Sequence, residues 1–242
     1  MAPILSVRDL TIRFGSRTVI EHLTFTVDRG DTLAIIGPNG AGKTALLRAL
    51  LSLLRYDGVI EWAPGVRVGY VPQKIAADRQ LPIQATDLLA AKARLLKLPA
   101  GEVRSLADKV GLTPDVLGTS IGLLSGGQFQ KVLIAFSLLG NPNVLLFDEP
   151  MSSLDELAEG RIYELLRDLQ RERQLTLFLV SHDLSVVYQF ATNVLCLSKS
   201  TTCYGPPRKI LTPETLEALY SAPLKFYRHH DHSLGVKNGK SG

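Results

Sequence analysis

Long apolar runs are scarce in this 242-residue sequence. The longest, such as residues 132–139, stay well short of the roughly 18 to 20 residues that a membrane-spanning helix needs. We therefore expect no membrane-spanning segment. Arg8, Asp9 and Arg13 interrupt the N-terminal pattern where a secretion signal would be apolar, so we expect no such signal and a cytoplasmic location.

Cysteine is also scarce, since Cys196 and Cys203 are the only two. Without a C-x-x-C spacing or a cysteine-dense composition, they are expected to be buried or free thiols in a reducing compartment. The net charge is +4 and the pI is near 9.1, but the basic residues are scattered and rarely form a run. We expect no nucleic-acid partner.

Apolar segments of strand and helix character alternate along the chain, which favours a parallel sheet with helical crossovers. Leu10 to Phe14 and Leu23 to Val27 alternate around a Gly15-Ser16 turn and predict an antiparallel hairpin. Further strands are predicted at 32–36, 66–71, 144–147, 175–180 and 194–197, and helices at 43–54, 86–97, 101–110, 156–172 and 184–191. We expect one domain over 1–242, with a core lobe (about 1–73 and 141–204), a helical lobe (about 74–140) and a C-terminal extension (about 205–242).

A glycine-rich loop between the predicted strand at 32–36 and the helix at 43 fits the pattern G-x-x-x-x-G-K-[ST]. Its backbone amides and the start of the helix favour phosphate, its lysine can reach the β and γ oxygens, and its threonine can bind Mg²⁺. The predicted ATP-binding residues of this loop are Gly37, Pro38, Asn39, Gly40, Ala41, Gly42, Lys43 and Thr44.

Two carboxylates end the predicted strand at 144–147. Ligands of parallel sheets bind at the carboxyl ends of the strands, so Asp148 and Glu149 are expected beside the phosphate loop. Asp148 is predicted to hold Mg²⁺, directly or through water. Glu149 is predicted to polarise the water that attacks the γ-phosphate. The alternative is an ordinary acidic turn after a core strand.

Between these two motifs, Leu124-Ser125-Gly126-Gly127-Gln128 opens an apolar helix and resembles the signature of ABC ATPases. The alternative is a simple helix cap. The resemblance covers about residues 4 to 200 and implies an α/β, P-loop NTPase fold of the ABC type, with a mostly parallel core sheet, an antiparallel β subdomain and a helical subdomain. It also implies that Ser125, Gly126, Gly127 and Gln128 bind the ATP of a partner subunit, in a head-to-tail homodimer with two ATP molecules at its interface.

Other positions match the same family. The resemblance assigns Phe14 to stacking on adenine, Gln73 to the switch glutamine at Mg²⁺ and the reaction centre, Asp155 to the dimer-contacting loop, and His182 to the γ-phosphate. Many relatives have tyrosine at position 14 and serine-threonine at 44–45. Alternatives from the residues alone are a strand core residue for Phe14, a solvated turn for Gln73 and a helix-capping histidine for His182.

The resemblance also implies partners and a place in the cell: integral membrane permease subunits, an extracytoplasmic substrate-binding protein, and a peripheral position on the cytoplasmic face of the inner membrane. The segment 203–232 is similar to the tails of ATPases that serve zinc, manganese or iron importers. His229, His230 and His232 could bind a transition metal or form a solvated tail. Siderophore uptake, export and a non-transport ABC ATPase remain alternatives.

Overall fold

The computed structural model describes residues 2–72, 82–99, 101–149, 156–198 and 202–220. The strands in these ranges are β1 (Leu5–Phe14), β2 (Arg17–Val27), β3 (Thr32–Ile36), β4 (Asp57–Trp62), β5 (Val68–Val71), β6 (Val144–Asp148), β7 (Thr176–Val180), β8 (Asn193–Leu197) and β9 (Thr202–Gly205). They form two sheets, one of order β2-β1-β4 and one of order β5-β6-β7-β3-β8-β9.

The helices in the same ranges are α1 (Lys43–Leu50), α2 (Ala85–Leu95), α3 (Glu102–Lys109), α4 (Pro114–Leu117), α5 (Gly126–Leu138), α6 (Glu156–Arg173), α7 (Leu184–Phe190), α8 (Pro207–Ile210) and α9 (Pro213–Tyr220). None of these helices is long and apolar enough to cross a bilayer. The predicted helices at 86–97, 101–110, 156–172 and 184–191 are confirmed to within a few residues. The division into lobes stays a prediction.

The smaller sheet confirms the predicted hairpin and adds a strand. β1 pairs antiparallel with β2, as expected, and on its other edge with β4. β4 was missed because Asp57-Gly58 was interpreted as a stop for a helix ending near residue 54, whereas α1 ends at Leu50. Gly58 has φ 99°, and a Cβ there would lie 2.3 Å from the Asp9 carbonyl oxygen. Close backbone approach at this register shift in β1 explains a glycine inside the strand.

The larger sheet is parallel from β5 to β8, and β9 closes its edge antiparallel to β8. β3, β6 and β7 are buried at every position. Helices on both faces bury such strands, which explains why they are short apolar runs without alternation. The predicted α/β class with a mostly parallel sheet is confirmed.

The two faces of β6 pack into different clusters. Val144 and Leu146 lie in the cluster that contains residues of α1, whereas Leu145 and Phe147 lie in the cluster that contains residues of α5 and α6. Side chains alternate between the faces of a strand. Asp148, which follows in this alternation, therefore shares the α1 side of the sheet with Val144 and Leu146.

The prediction that Cys196 and Cys203 are buried or free thiols is wrong in that they are not thiols, although Cys196 is buried. Cys196 of β8 and Cys203 of β9 are register partners across the antiparallel pair, and they form a disulfide. Their Cα atoms lie 4.8 Å apart, within the range that a disulfide bridges. The sequence prediction contained no strand at 202–205, so it had no reason to place these two side chains opposite each other.

Candidate functional site

The site lies where three neighbouring strands of the larger sheet end. The glycine-rich loop follows β3, Asp148 ends β6 with Glu149 next in the chain, and His182 lies just beyond β7. These strands are adjacent and parallel, in the order β6-β7-β3. Their carboxyl ends therefore lie at one edge of the sheet, although the glycine-rich loop and His182 are more than 100 residues apart in the chain.

A cavity of about 570 Å³ opens at this edge. This volume is within the usual range of small-molecule sites. The lining residues come from β1, β2, the glycine-rich loop, α1 and the segments after β6 and β7: Phe14, Arg17, Val19, Asn39, Gly40, Gly42, Lys43, Thr44, Ala45, Arg48, Glu149 and His182. The structure thus brings together predicted residues from four separate segments.

Backbone geometry explains two glycines of the loop. Gly37 has φ 148°, and a Cβ there would lie 2.0 Å from the carbonyl oxygen of Leu197. Gly42, the N-cap of α1, has φ 98°, and its Cβ would lie 2.7 Å from a methyl carbon of Val19. The Ala41 amide donates to the Pro38 carbonyl at 3.2 Å. The loop therefore packs against β8 and β2 as closely as backbone allows.

Gly37→Ala is expected to destabilise the fold and to weaken nucleotide binding together. The added methyl group meets backbone rather than a flexible side chain, so the cost is about 1 to 3 kcal/mol or more. Thermal unfolding and ATP titration measure the two effects. Gly65→Ala is the matched control, because Gly65 also has positive φ (75°) but has open space at its Cβ. Equal melting temperatures for the two variants would contradict the packing argument.

Lys43, Glu149 and His182 converge in the cavity. Glu149 Oε1 lies 2.8 Å from His182 Nε2 and 3.4 Å from Lys43 Nζ. The side chains of Lys43 and Glu149 are only 6% and 11% exposed, so this contact is largely shielded from water. Lys43 also donates to the carbonyl oxygens of Gly37 and Pro38, at 2.9 and 3.3 Å. The ammonium group thus lies beside the loop and can turn to an incoming phosphate.

Glu149 has φ 49°, which is uncommon for a residue other than glycine. Such backbone costs free energy and tends to persist at functional sites, where the surrounding structure imposes it. Here it follows the last residue of β6 and turns the Glu149 carboxylate toward Lys43 and His182. Six other non-glycine residues in the described ranges also have positive φ, so it is the contacts of the Glu149 carboxylate, and not its backbone alone, that distinguish it from an ordinary acidic turn.

Asp148 is 2% exposed and accepts two hydrogen bonds. The Thr44 hydroxyl donates to Oδ1 at 3.0 Å, and the Tyr70 hydroxyl donates to Oδ2 at 3.2 Å. Burial raises the pKa of the Asp148 carboxyl, against the effect of these two donors. Burial, with the adjacent Asp148 charge, raises the pKa of Tyr70 to about 12, so Tyr70 is protonated at neutral pH.

A hydroxyl and a carboxylate held this close are hard oxygen donors, the kind that Mg²⁺ takes in proteins. Thr44 and Asp148 therefore fit a magnesium ion. Within the described residues no group of three or more His, Cys, Asp or Glu side chains could hold a metal by protein ligands alone. A pair of donors beside a phosphate loop is consistent with an ion that takes its other ligands from nucleotide and water.

The segment that resembles the ABC signature, residues 124–128, lies apart from this cavity. Ser125 is the N-cap of α5, its hydroxyl accepts from the Gln128 amide at 3.3 Å, and Gln128 Oε1 accepts from the Ser125 amide at 2.9 Å. Ser125, Gly126 and Gln128 are exposed and Gly127 is partly exposed. Of the residues that the structure describes, none of these four lines the cavity at the phosphate loop. The helix cap is thus real, and it leaves an exposed helix N-terminus.

The structure decides two of the simpler alternatives. Phe14 is 50% exposed at the mouth of the cavity and is not a core residue. Asp183, not His182, caps α7, because its carboxylate accepts from the Ser185 amide at 2.7 Å. Gln73 and Asp155 lie outside the described residues, as do 152–154 and the histidines at 229, 230 and 232.

Sequence reasoning missed five residues of the site. Arg17, Val19, Ala45 and Arg48 line the cavity, and Tyr70 contacts Asp148. A signal existed for Arg48, which lies four positions after Thr44 and so shares its face of α1. Tyr70 lies on the face of β5 that packs on the α1 side. Its position near Asp148 can be inferred only once β5 and β6 are known to be neighbouring strands.

Comparison with known proteins gives consistent results. The family described as ABC transporter matches residues 20–152. A zinc import ATP-binding protein ZnuC from Jannaschia sp. is 36% identical over 218 residues, which cover 90% of this chain and 88% of that protein. Another ZnuC, from Cereibacter sphaeroides, is 37% identical over 231 residues, covering 93% of each chain.

Solved structures agree with these matches. A structure described as an inward-facing, metal-chelate type ABC transporter superposes with a TM-score of 0.83 at 29% identity, covering 92% of this chain and 90% of that chain. The structure of cbiO1 from Clostridium perfringens, part of the ABC transporter complex cbiONQ, superposes with a TM-score of 0.75 at 25% identity, covering 90% and 94%.

Proposed function

The chain belongs to the ABC transporter family and is an ATPase subunit of that family, and from this premise we propose that it powers the import of a divalent metal ion through a separate membrane permease. Zinc is the leading candidate for this metal. Relatives named as zinc import ATP-binding proteins match 90% or more of the chain. The observation that carries the catalytic part is the convergence of Lys43, Glu149 and His182 in one cavity at the phosphate loop.

Each residue of the cavity has a role in this proposal. The amides of the loop and the start of α1 hold the phosphates, and Lys43 turns from the loop carbonyls to the β and γ oxygens. Phe14 stacks on the adenine at the cavity mouth. Glu149 accepts a hydrogen bond from the attacking water and polarises it, and His182, 2.8 Å from the same carboxylate oxygen, contacts the γ-phosphate.

Thr44 and Asp148 would hold Mg²⁺ in this proposal, together with Gln73. When bound, the ion neutralises charge on the β- and γ-phosphates. Thr44 lies in the first turn of α1 beside the loop, and Asp148 ends β6 on the α1 side, so the two side chains already meet.

Lys43→Ala is expected to weaken ATP binding about 10- to 100-fold, because a charge-assisted contact to the phosphates is lost. Titration calorimetry with ATP measures the change. Lys109→Ala removes an equal charge at an exposed ion pair with Glu172 and serves as the control. Unchanged ATP affinity in the Lys43 variant, with the control also unchanged, would remove Lys43 from the phosphate site.

The working unit in this proposal is a head-to-tail homodimer. The exposed N-terminus of α5 is a ready anion site, and Ser125 with the following amides would meet the ATP held by the phosphate loop of the second copy. The permease and an extracytoplasmic substrate-binding protein complete the transporter, and the chain acts on the cytoplasmic face of the inner membrane.

The cargo is tested by uptake. Cells that lack this chain should accumulate less zinc, manganese or iron than cells that carry it, and the chain should restore uptake when reintroduced. Deleting residues 229–242 should leave ATP hydrolysis largely intact. Purification of the permease with this chain and its bound cargo identifies the metal. Unchanged uptake of all three metals, with a defect for another cargo, would refute the metal assignment but not the ATPase.

A further inference from the structure

We propose that Tyr70 is a positioning residue that fixes the orientation of the Asp148 carboxylate and so sets how tightly Mg²⁺ binds with ATP. The proposal rests on the magnesium-dependent ATPase function proposed above. Tyr70 is not part of the glycine-rich loop, the carboxylate motif or the signature, and it does not line the nucleotide cavity in the part of the chain that the structure describes. It would act only through Asp148.

Strand register places Tyr70 within reach of Asp148. β5 and β6 are parallel neighbours in which Tyr70 is paired with Leu146, so Asp148 lies two residues further along β6 on the same face. With strands about 4.8 Å apart and a rise of about 3.3 Å per residue, the two Cα atoms are about 8 Å apart, a gap that an aromatic side chain spans. Tyr70 packs against the same cluster as Leu146, which agrees with a side chain on the α1 side.

The two oxygens of Asp148 have different donors. Thr44 holds Oδ1 at 3.0 Å and Tyr70 holds Oδ2 at 3.2 Å, one from α1 and one from β5. With both donors present, rotation of the carboxylate about its Cβ–Cγ bond is blocked. This torsion is otherwise broad for aspartate.

The Thr44 bond alone is a poor anchor, because the same hydroxyl is a predicted ligand of the metal. Tyr70 has no such second task. Its hydroxyl can keep Oδ2 in place while Oδ1 and the Thr44 oxygen would remain available to the ion. Partners of this kind, which hold a metal ligand without touching the metal, commonly change metal affinity or activity 10- to 100-fold when they are removed.

The test is Tyr70→Phe, which keeps the ring and its packing and removes only the hydroxyl. Binding of Mn²⁺, used as a probe for Mg²⁺, is measured by electron paramagnetic resonance with a non-hydrolysable ATP analogue bound. We expect the Mn²⁺ affinity to fall about 10-fold. The Mg²⁺ concentration for half-maximal hydrolysis should rise by a similar factor, while ATP affinity without metal stays the same.

Tyr188→Phe is the matched control, since it removes a hydroxyl that donates to the Leu211 carbonyl at 2.9 Å, away from the cavity. A Tyr70 variant that loses thermal stability or maximal rate, but keeps wild-type Mn²⁺ affinity, would make Tyr70 merely structural and overturn the proposal. If the wild-type protein itself hydrolyses no ATP with Mg²⁺ present, the proposed function fails instead. The two failures are distinguishable because the first is seen in the Tyr70 variant alone and the second in the wild-type protein.

Discussion

Glu149→Gln is expected to slow ATP hydrolysis by about 10²- to 10⁴-fold while ATP still binds, which is the usual effect of removing a general base. Glutamine has the same shape, so the cavity keeps its volume and the backbone at this position is unchanged. It is neutral, however, and cannot polarise water as a carboxylate does. Single-turnover hydrolysis and ATP titration measure the two effects separately.

The same variant should trap the ATP-bound dimer. If hydrolysis is what releases the two copies, a chain that binds but does not cleave ATP accumulates as a dimer, which size-exclusion chromatography with ATP detects. Glu172→Gln, at the exposed pair with Lys109, is the matched control and should behave as wild type. Normal turnover of the Glu149 variant would remove this residue from the proposed role.

Ser125→Asp is expected to lower hydrolysis by about 100-fold, similar to the loss of one preorganised donor at a reacting phosphate. Aspartate is as good an N-cap as serine and accepts from the same amide, so α5 should stay intact. Its negative charge, in contrast, would face the triphosphate of the second copy. We therefore expect the steady-state rate of hydrolysis to fall while the melting temperature in thermal unfolding stays unchanged.

Thr212→Asp provides the control, because Thr212 accepts from the Thr215 amide at the start of α9 and is not part of the signature. A second experiment mixes Ser125→Asp and Lys43→Ala chains. Each alone forms only defective sites, but a head-to-tail mixed dimer contains one site in which both halves are intact. Recovery of hydrolysis on mixing supports shared sites. Full activity of a monomeric Ser125→Asp chain would refute them.

Much of the fold could be predicted, because the strongest patterns are local. The alternation in β1 and β2, the short apolar runs of β3, β6 and β7, and the glycine-rich loop each depend on a few consecutive residues. β4 and β9 could not be predicted in the same way. β4 pairs with β1, which is distant in sequence, and β9 pairs with β8 at the edge of the larger sheet. Gly58 in β4 resembles a turn residue when the close approach of Asp9 is unknown.

The same distinction between local patterns and long-range contacts applies to the candidate site. The glycine-rich loop, Asp148 and Glu149 are recognisable because each belongs to a short motif of consecutive residues. The positive φ of Glu149, the 2.8 Å contact with His182 and the hydrogen bond from Tyr70 are properties of the assembled sheet. Tyr70 becomes visible only when strand order and register are known.

The order of the three strands along the chain has a consequence for synthesis. The phosphate loop after β3 and the helix α1 are made first, β6 with its two carboxylates follows about 100 residues later, and His182 comes after β7. In the proposed mechanism, an emerging chain that ends before β6 carries the glycine-rich loop but lacks Glu149, the residue proposed to activate water. On that mechanism, we expect unfinished chains on the ribosome to hydrolyse no ATP.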